Sequence, residues 1–535
     1  MTSSTSRLRR ASRWAVALTT ALMSGVVTVA GAAADPSPQR SGLGPEITAI
    51  MHKPAYKHAQ WGLLEVDDRS GKVIHSDFPD QFFIPGSTAK LVPVSTAWHV
   101  LGREHRFTTP VQALGRRSGS VLTGNLALVA QGDLTMGGRT KPNGSVDFTS
   151  IDHTYANDAP GATLTPENPL AGLDQIARQV RKSGITRVAG NVAIDSRLFT
   201  SFSGLDPTPT PLIINDNLID LLTTPTSPGR QAKLSWRPQV APYHVVSTVR
   251  TVAKGRTTDI TVSASPDGTH ITLTGTIAAG SQPVLRVSGI KDPAAFGRTA
   301  LIEALARAGV SVTAPPTGAN PTALLPASYA GSTRVAAYTS PVFEQYARLI
   351  LKVSHNLGAN LTVCLMAVTA HSHQCADGFP VIRDFLRHAG VDPTQVQLLD
   401  GRGGNPVDRV TPRAEIELLR YWEGTPDAAR FREAQAILGV DGLLAFVCNG
   451  SPTCPGKGKV WAKTGTVAGE DAVNRRIAVG ALAIGGYLQV RPGHYDSFYL
   501  VVNGASVPDI NGVITGGDDL ARIAGLLQEQ AEARH

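Results

Sequence analysis

Three short motifs, far apart along the chain, constrain this sequence most. Ser87-Thr88-Ala89-Lys90 follows Pro85-Gly86 and opens a mostly apolar stretch to Leu101. That stretch predicts a helix, with Pro93 expected to kink it. On a helix, residues i and i+3 share a face, so the Lys90 amine reaches the Ser87 hydroxyl. A serine needs an adjacent base to become a nucleophile. A lysine serves as that base only when burial or a nearby cation lowers its pKa. Ser354-His355-Asn356 is the one S-x-N in the chain. It offers a second hydroxyl for proton relay and an amide to hold a substrate carbonyl. Lys463-Thr464-Gly465 continues Val460-Trp461-Ala462 and reads as a strand whose edge can pair with an extended peptide. It offers a second cation, a hydroxyl for a carboxylate, and room for close approach at the glycine.

Each motif alone is weak, and the chain holds two decoys. Ser288-Gly289-Ile290-Lys291 and Lys182-Ser183-Gly184 repeat the first and third patterns. They stand in the wrong order and the wrong local context, and read as chance. The order S-x-x-K, S-x-N, K-T-G, with the first at a helix start and the last on a strand, is far more specific. Such a set works only if the fold gathers residues 87, 354 and 463 into one cleft.

The rest of the pattern must supply that fold. A hairpin is expected over 61–78, and a buried strand at 125–131. Residues 136–332 differ from their flanks, being rich in Gly, Pro, Thr and Ser with short strand-like pieces at 186–194 and 270–276. Helices are expected at 170–183 and 294–308, from about 335 onward, at 380–389, 412–422 and 518–531. The apolar runs 476–490 and 497–503 read as neighbouring antiparallel strands of a buried sheet. With 42% hydrophobic residues over 535 positions the chain is a globular one of several domains.

A net charge of +8 invites a nucleic-acid reading, and its location argues against one. Arg7, Arg9, Arg10 and Arg13 precede an apolar stretch from Trp14 to Gly31, then Ala32-Ala33-Ala34 and Asp35-Pro36. This is the layout of a signal peptide over 1–34, cleaved near Ala34, so export is expected. The remainder is close to neutral for its size. Four cysteines agree with export: Cys364, Cys375, Cys448 and Cys454 suggest two local disulfides, although four cysteines allow three pairings. His371, His373 and Cys375 lack a second ligand cluster, so no metal is expected.

With these residues in view, the sequence resembles the penicillin-binding proteins and serine β-lactamases. It is most similar to the class C low-molecular-mass penicillin-binding proteins, the D-Ala-D-Ala carboxypeptidases and endopeptidases of peptidoglycan. PGSTAKL resembles the family's P-A-S-T-x-K-L, AQGDLTM its G-G-D-P-T-L, LLDGRGGNP its D-G-S-G-L-S, and KTGTVAG its K-T-G-T. The resemblance implies an α+β fold: a transpeptidase-like domain of antiparallel sheet and helices, over 35–135 and 333–535. A long, mostly β insertion over 136–332 splits it. A compact β-lactamase spans far less between the first two motifs, and no E-x-x-L-N deacylation motif is found.

The roles implied are these. Ser87 attacks the D-Ala-D-Ala carbonyl with Lys90 as base, and Ser354 and Lys463 relay the proton to the leaving amine. Thr464, Gly465 and Thr466 line the carboxylate end, Asn356 holds the substrate amide, and backbone N–H groups of Ser87 and Thr466 form an oxyanion hole. Peptidoglycan stem peptides are the expected partner, β-lactams acylate Ser87, and no cofactor, nucleic acid or transmembrane partner is called for. The sequence departs from the family at His355, usually Asp and read here as an exposed spacer, and at Arg402, Gly404 and Asn405. A serine β-lactamase and a slow wall-binding protein with the same fold are the alternatives.

Overall fold

The computed structural model describes residues 42–448 and 453–534. The expected signal peptide lies outside them. The architecture is α+β, as the family resemblance implies. Its centre is an antiparallel sheet in which the strands run 436–437, 460–471, 476–491, 494–503, 60–67 and 73–77, with 505–507 paired to the far end of 476–491.

The long strands read as nearly continuous apolar runs because both faces are covered. Phe498, Leu500 and Val502 pack with Leu482, Ile484 and the helix Ile510–Ala533 on one face. The alternate residues Tyr499, Val501, Ala483 and Tyr487 pack on the other face, against the helices Leu91–Leu101, Phe343–Lys352, Asn356–Thr369, Gly378–His388 and Pro412–Glu423. Alternation with period two thus becomes two cores separated by one sheet.

A second sheet lies outside this sandwich. Its order is 311–312, 187–188, 121–129, 108–118, 333–339, with 192–195 alongside 121–129. It packs with the helices Ala171–Lys182 and Pro293–Arg307 in a core of its own. Two further small sheets, of three and four strands, fill residues 218–289.

Three local expectations change. The stretch after 333 begins as a strand, Thr333–Thr339, paired to 108–118 at the edge of the second sheet, and turns helical only at Phe343. The last helix starts at Ile510, eight residues before its expected start. Pro93 does not sit in a helix interior. Residues Gly86–Lys90 form a 3-10 turn and the α-helix begins at Leu91, so Pro93 falls in its first turn, where a missing N–H is tolerated.

Candidate active site

The 3-10 turn carrying Ser87 is wedged between two other segments. Gly86 has a left-handed φ of 53° and presses on the backbone of Gly465 and Thr466. A side chain at Gly465 would run into the Pro85 carbonyl, and one at Gly403 into that of Gly86. The K-T-G glycine therefore admits the nucleophile turn itself, whereas the sequence reading left open what approaches it. Thr88 ties the turn down through the Pro85 carbonyl and the Tyr499 hydroxyl, at 2.9 and 3.0 Å.

Around this wedge the predicted polar groups converge. Lys90 Nζ lies 2.6 Å from Ser87 Oγ, 3.0 Å from Ser354 Oγ and 2.7 Å from Asn356 Oδ1. Lys463 Nζ lies 2.8 Å from Ser354 Oγ and donates to the Thr464 carbonyl at 2.5 Å. Both lysines are fully buried. Burial, then the neighbouring Lys463 charge, hold the Lys90 amine well below its ordinary pKa. Burial brings Lys463 down to about 7. Asp400 pulls the Lys90 amine back part of the way, but both amines stay shifted toward the neutral form that a base requires.

Strand geometry sorts the K-T-G residues. Lys463 pairs with Gly485 and Thr464 with Ile484, so Lys463 points to the helical layer that holds Ser354. Thr464 and Thr466 point to the opposite side. They line a cavity of about 550 Å³ together with Ser87, Ser354, Asn356, Tyr155 and Arg402. Its far wall is apolar, from Leu443, Leu444, Phe446, Val513 and Ile514, with Asp518 among them.

The loop that carries Arg402 is built on two carboxylates. Asp400 accepts from the backbone N–H groups of Arg402 and Gly403, and Asp408 from those of Leu399 and Asn405. Asn360, four residues past Asn356, accepts from Gly401 N–H at 3.0 Å. Arg402 reaches into the cavity, with Asp400 and Asp206 beside its guanidinium.

His355 corrects the sequence reading most sharply. It is not an exposed spacer but is fully buried, with Nδ1 accepting from Gly358 N–H and Nε2 lying 3.0 Å from Asp216 Oδ1. Sequence reasoning also missed Tyr155, whose hydroxyl donates to the Ser354 carbonyl. Both Asp216 and Tyr155 lie in the 136–332 stretch, and no short motif marks them. Cys364 is bonded to Cys375 and Cys448 to Cys454, the local pairing among the three possible. His373 turns its Nδ1 to the Leu198 carbonyl.

Comparison with known proteins places this arrangement. Over 491 residues the chain is 27% identical to a D-alanyl-D-alanine carboxypeptidase from Actinomadura sp. (strain R39), covering 86% of this chain and 81% of that one. In fold it is similar to penicillin binding protein 4 of Haemophilus influenzae, with a TM-score of 0.67, 18% identity, and coverage of 91% of this chain and 99% of that one. The same protein complexed with a β-lactam matches at a TM-score of 0.64, again with 18% identity and covering 90% and 98% of the two chains. Residues 43–522 match the D-Ala-D-Ala carboxypeptidase 3 (S13) family across nearly the whole described chain. With its serine and two lysines gathered at one cleft, the chain belongs to that family of serine peptidases.

Proposed function

We propose that the protein removes the terminal D-Ala from peptidoglycan stem peptides through an acyl-enzyme on Ser87. The observation that carries this reading is the convergence of Ser87, Lys90, Ser354 and Lys463 within hydrogen-bond reach. Lys90 takes the Ser87 proton as Oγ attacks the carbonyl of the penultimate D-Ala. The backbone N–H groups of Ser87 and Thr466 receive the developing oxyanion. Ser354 and Lys463 pass a proton to the departing amine, free D-Ala leaves, and water releases the acyl group. Asn356 turns Oδ1 to Lys90, which leaves its Nδ2 to donate to a substrate carbonyl. Thr464 and Thr466 receive the terminal carboxylate. None of these steps calls on a metal or cofactor.

A β-lactam acylates the same serine in this scheme, and a cross-linked stem peptide is a second substrate of the same chemistry. Export fits the arginines and apolar run of residues 1–34 and the two disulfides. Among the described residues, no helix is long and apolar enough to cross a membrane. We place the catalytic domain on both sides of an insertion whose ends fall near residues 107 and 340. The pairing of 108–118 with 333–339 supports those limits over 136 and 332.

D-Ala release from an acylated peptide ending in D-Ala-D-Ala tests the reading. The expected result is release that vanishes in Ser87→Ala and falls at least about 100-fold in Lys90→Ala, the size of a lost general base. Release that survives in Ser87→Ala would contradict it. Rapid turnover of β-lactam without D-Ala release would select the β-lactamase alternative.

A further inference from the structure

Behind the cleft, the 136–332 stretch contributes a buried ionic cluster. Arg139 donates to both oxygens of Asp152 and to Asp216 Oδ2, at 2.7, 3.0 and 2.7 Å. His153 bridges Asp216 and Asp220 at 2.7 and 2.6 Å. Arg237 closes on Asp220 at 3.1 Å. Burial alone would lower the His153 pKa, but Asp220 and Asp152 outweigh it and raise it to about 10. Three carboxylates therefore meet three cations, Arg139, Arg237 and protonated His153. Asp152, Asp216 and His355 also have the spacing of a metal site. The charge such an ion would bring is already supplied by Arg139, so the cluster is complete as an ion-pair network.

One carboxylate oxygen of this network, Asp216 Oδ1, faces outward to His355. The Gly358 N–H donates to His355 Nδ1 at 3.0 Å, so Nε2 is the ring nitrogen left facing Asp216, in a close polar contact rather than an aligned hydrogen bond. Asn215, Asp216 and Asn217 hold φ of 52°, 55° and 57°, three consecutive left-handed residues without a glycine. Asn215 Nδ2 donates to the Leu218 carbonyl and Asp220, and Asn217 Nδ2 to Thr210. Across the contact, Ser354 is itself left-handed, at φ 61°, and its carbonyl accepts from Tyr155. Backbone strain of this kind persists only where the surroundings over-determine it. Here it occurs on both sides of one contact, beside the hydroxyl that bridges the two lysines.

We propose that Asp216 and Tyr155 are positioning residues of the acylation step. They grip the Ser354-His355 turn from the far side, Asp216 through the His355 ring and Tyr155 through the Ser354 carbonyl. The grip fixes Ser354 Oγ between Lys90 and Lys463. The inserted stretch is then part of the catalytic apparatus rather than an appendage. This rests on the acyl-enzyme reading above.

The test is pre-steady-state labelling with a fluorescent penicillin, separating the binding constant from the acylation rate constant. A misplacement of about 1 Å in a catalytic group can cost about 100-fold in rate. Asp216→Asn should lower the acylation rate constant at least about 10-fold and leave binding within about 3-fold. In a His355→Ala background the same substitution should add less than about 2-fold, because its path to Ser354 is gone. Tyr155→Phe removes no buried charge and should lower the rate constant with cooperative thermal unfolding retained. It keeps the test open if Asp216→Asn fails to fold. Parental rate constants in the folded variants would overturn the proposal, as would an equal Asp216→Asn effect in both backgrounds. A parent that fails to label would overturn the acyl-enzyme reading and this proposal with it. Labelling of the parent with unchanged variants would overturn this proposal alone.

Discussion

At the scale of single residues, the site depends on two lysines placed where they are uncomfortable. Each pKa unit of displacement corresponds to about 1.4 kcal/mol. Lys463, brought to about 7 by burial, is therefore held at a considerable expense of folding energy. The sign follows from proton counting. Between about 7 and its ordinary value the unfolded chain holds the Lys463 proton and the folded chain does not, so stability rises with pH across that window. Lys463→Met should thus unfold at higher temperature than the parent at pH 7, by the equivalent of about 1–2 kcal/mol. The advantage should shrink toward pH 10, and acylation should be lost. Thermal melts across that pH range check this, and a variant no more stable than the parent at pH 7 contradicts it. The lysines themselves were legible in the sequence because their chemistry demands partners at fixed spacing. His355 was not, since nothing in Ser-His-Asn says whether the middle side chain meets water or a carboxylate 139 residues earlier.

At the scale of elements, apolar periodicity carried most of the fold. The runs 476–490 and 497–503 are neighbouring antiparallel strands, and helices stand at 171–182, 293–307, 378–388 and 412–423. Where the reading failed, the cause is pairing at long range. Residues Thr333–Thr339 pair along the edge at 108–118, a partner more than 200 residues earlier that no local pattern names. The helix Pro412–Glu423 shows a second kind of hidden feature. It starts on a Thr411 cap to Ala414 N–H at 3.1 Å and buries Glu415 beneath the sheet. Among the described residues no partner reaches either Glu415 oxygen, and burial pushes the carboxyl up to about 8. Between its ordinary value and about 8 the unfolded chain is ionised while the folded chain keeps the proton, so this residue makes stability fall as pH rises. Glu415→Gln should remove that contribution and flatten the decline of melting temperature between pH 5 and pH 8. An unchanged slope would show that Glu415 is ionised in the folded protein.

At the scale of the whole molecule, the long separation of the first two motifs acquires a physical meaning. The second sheet pairs 108–118 with 333–339, strands from the two ends of the chain between those motifs, and its neighbours reach back to hold the Ser354-His355 turn. Composition hinted at the insertion we propose, and the ends we assign to it follow the strand pairing. The basic excess that first suggested a polyanion lies half in residues 1–34, and the site is organised around a serine and two lysines.

The central claim is that Ser87 is the residue acylated in this cleft. Incubating the purified protein with benzylpenicillin and measuring the intact mass, followed by peptide mapping, tests it most directly. The account predicts one covalent adduct per chain, located on the peptide containing Ser87 and absent from Ser87→Ala. An adduct that maps to another residue, or that persists in Ser87→Ala, would contradict it.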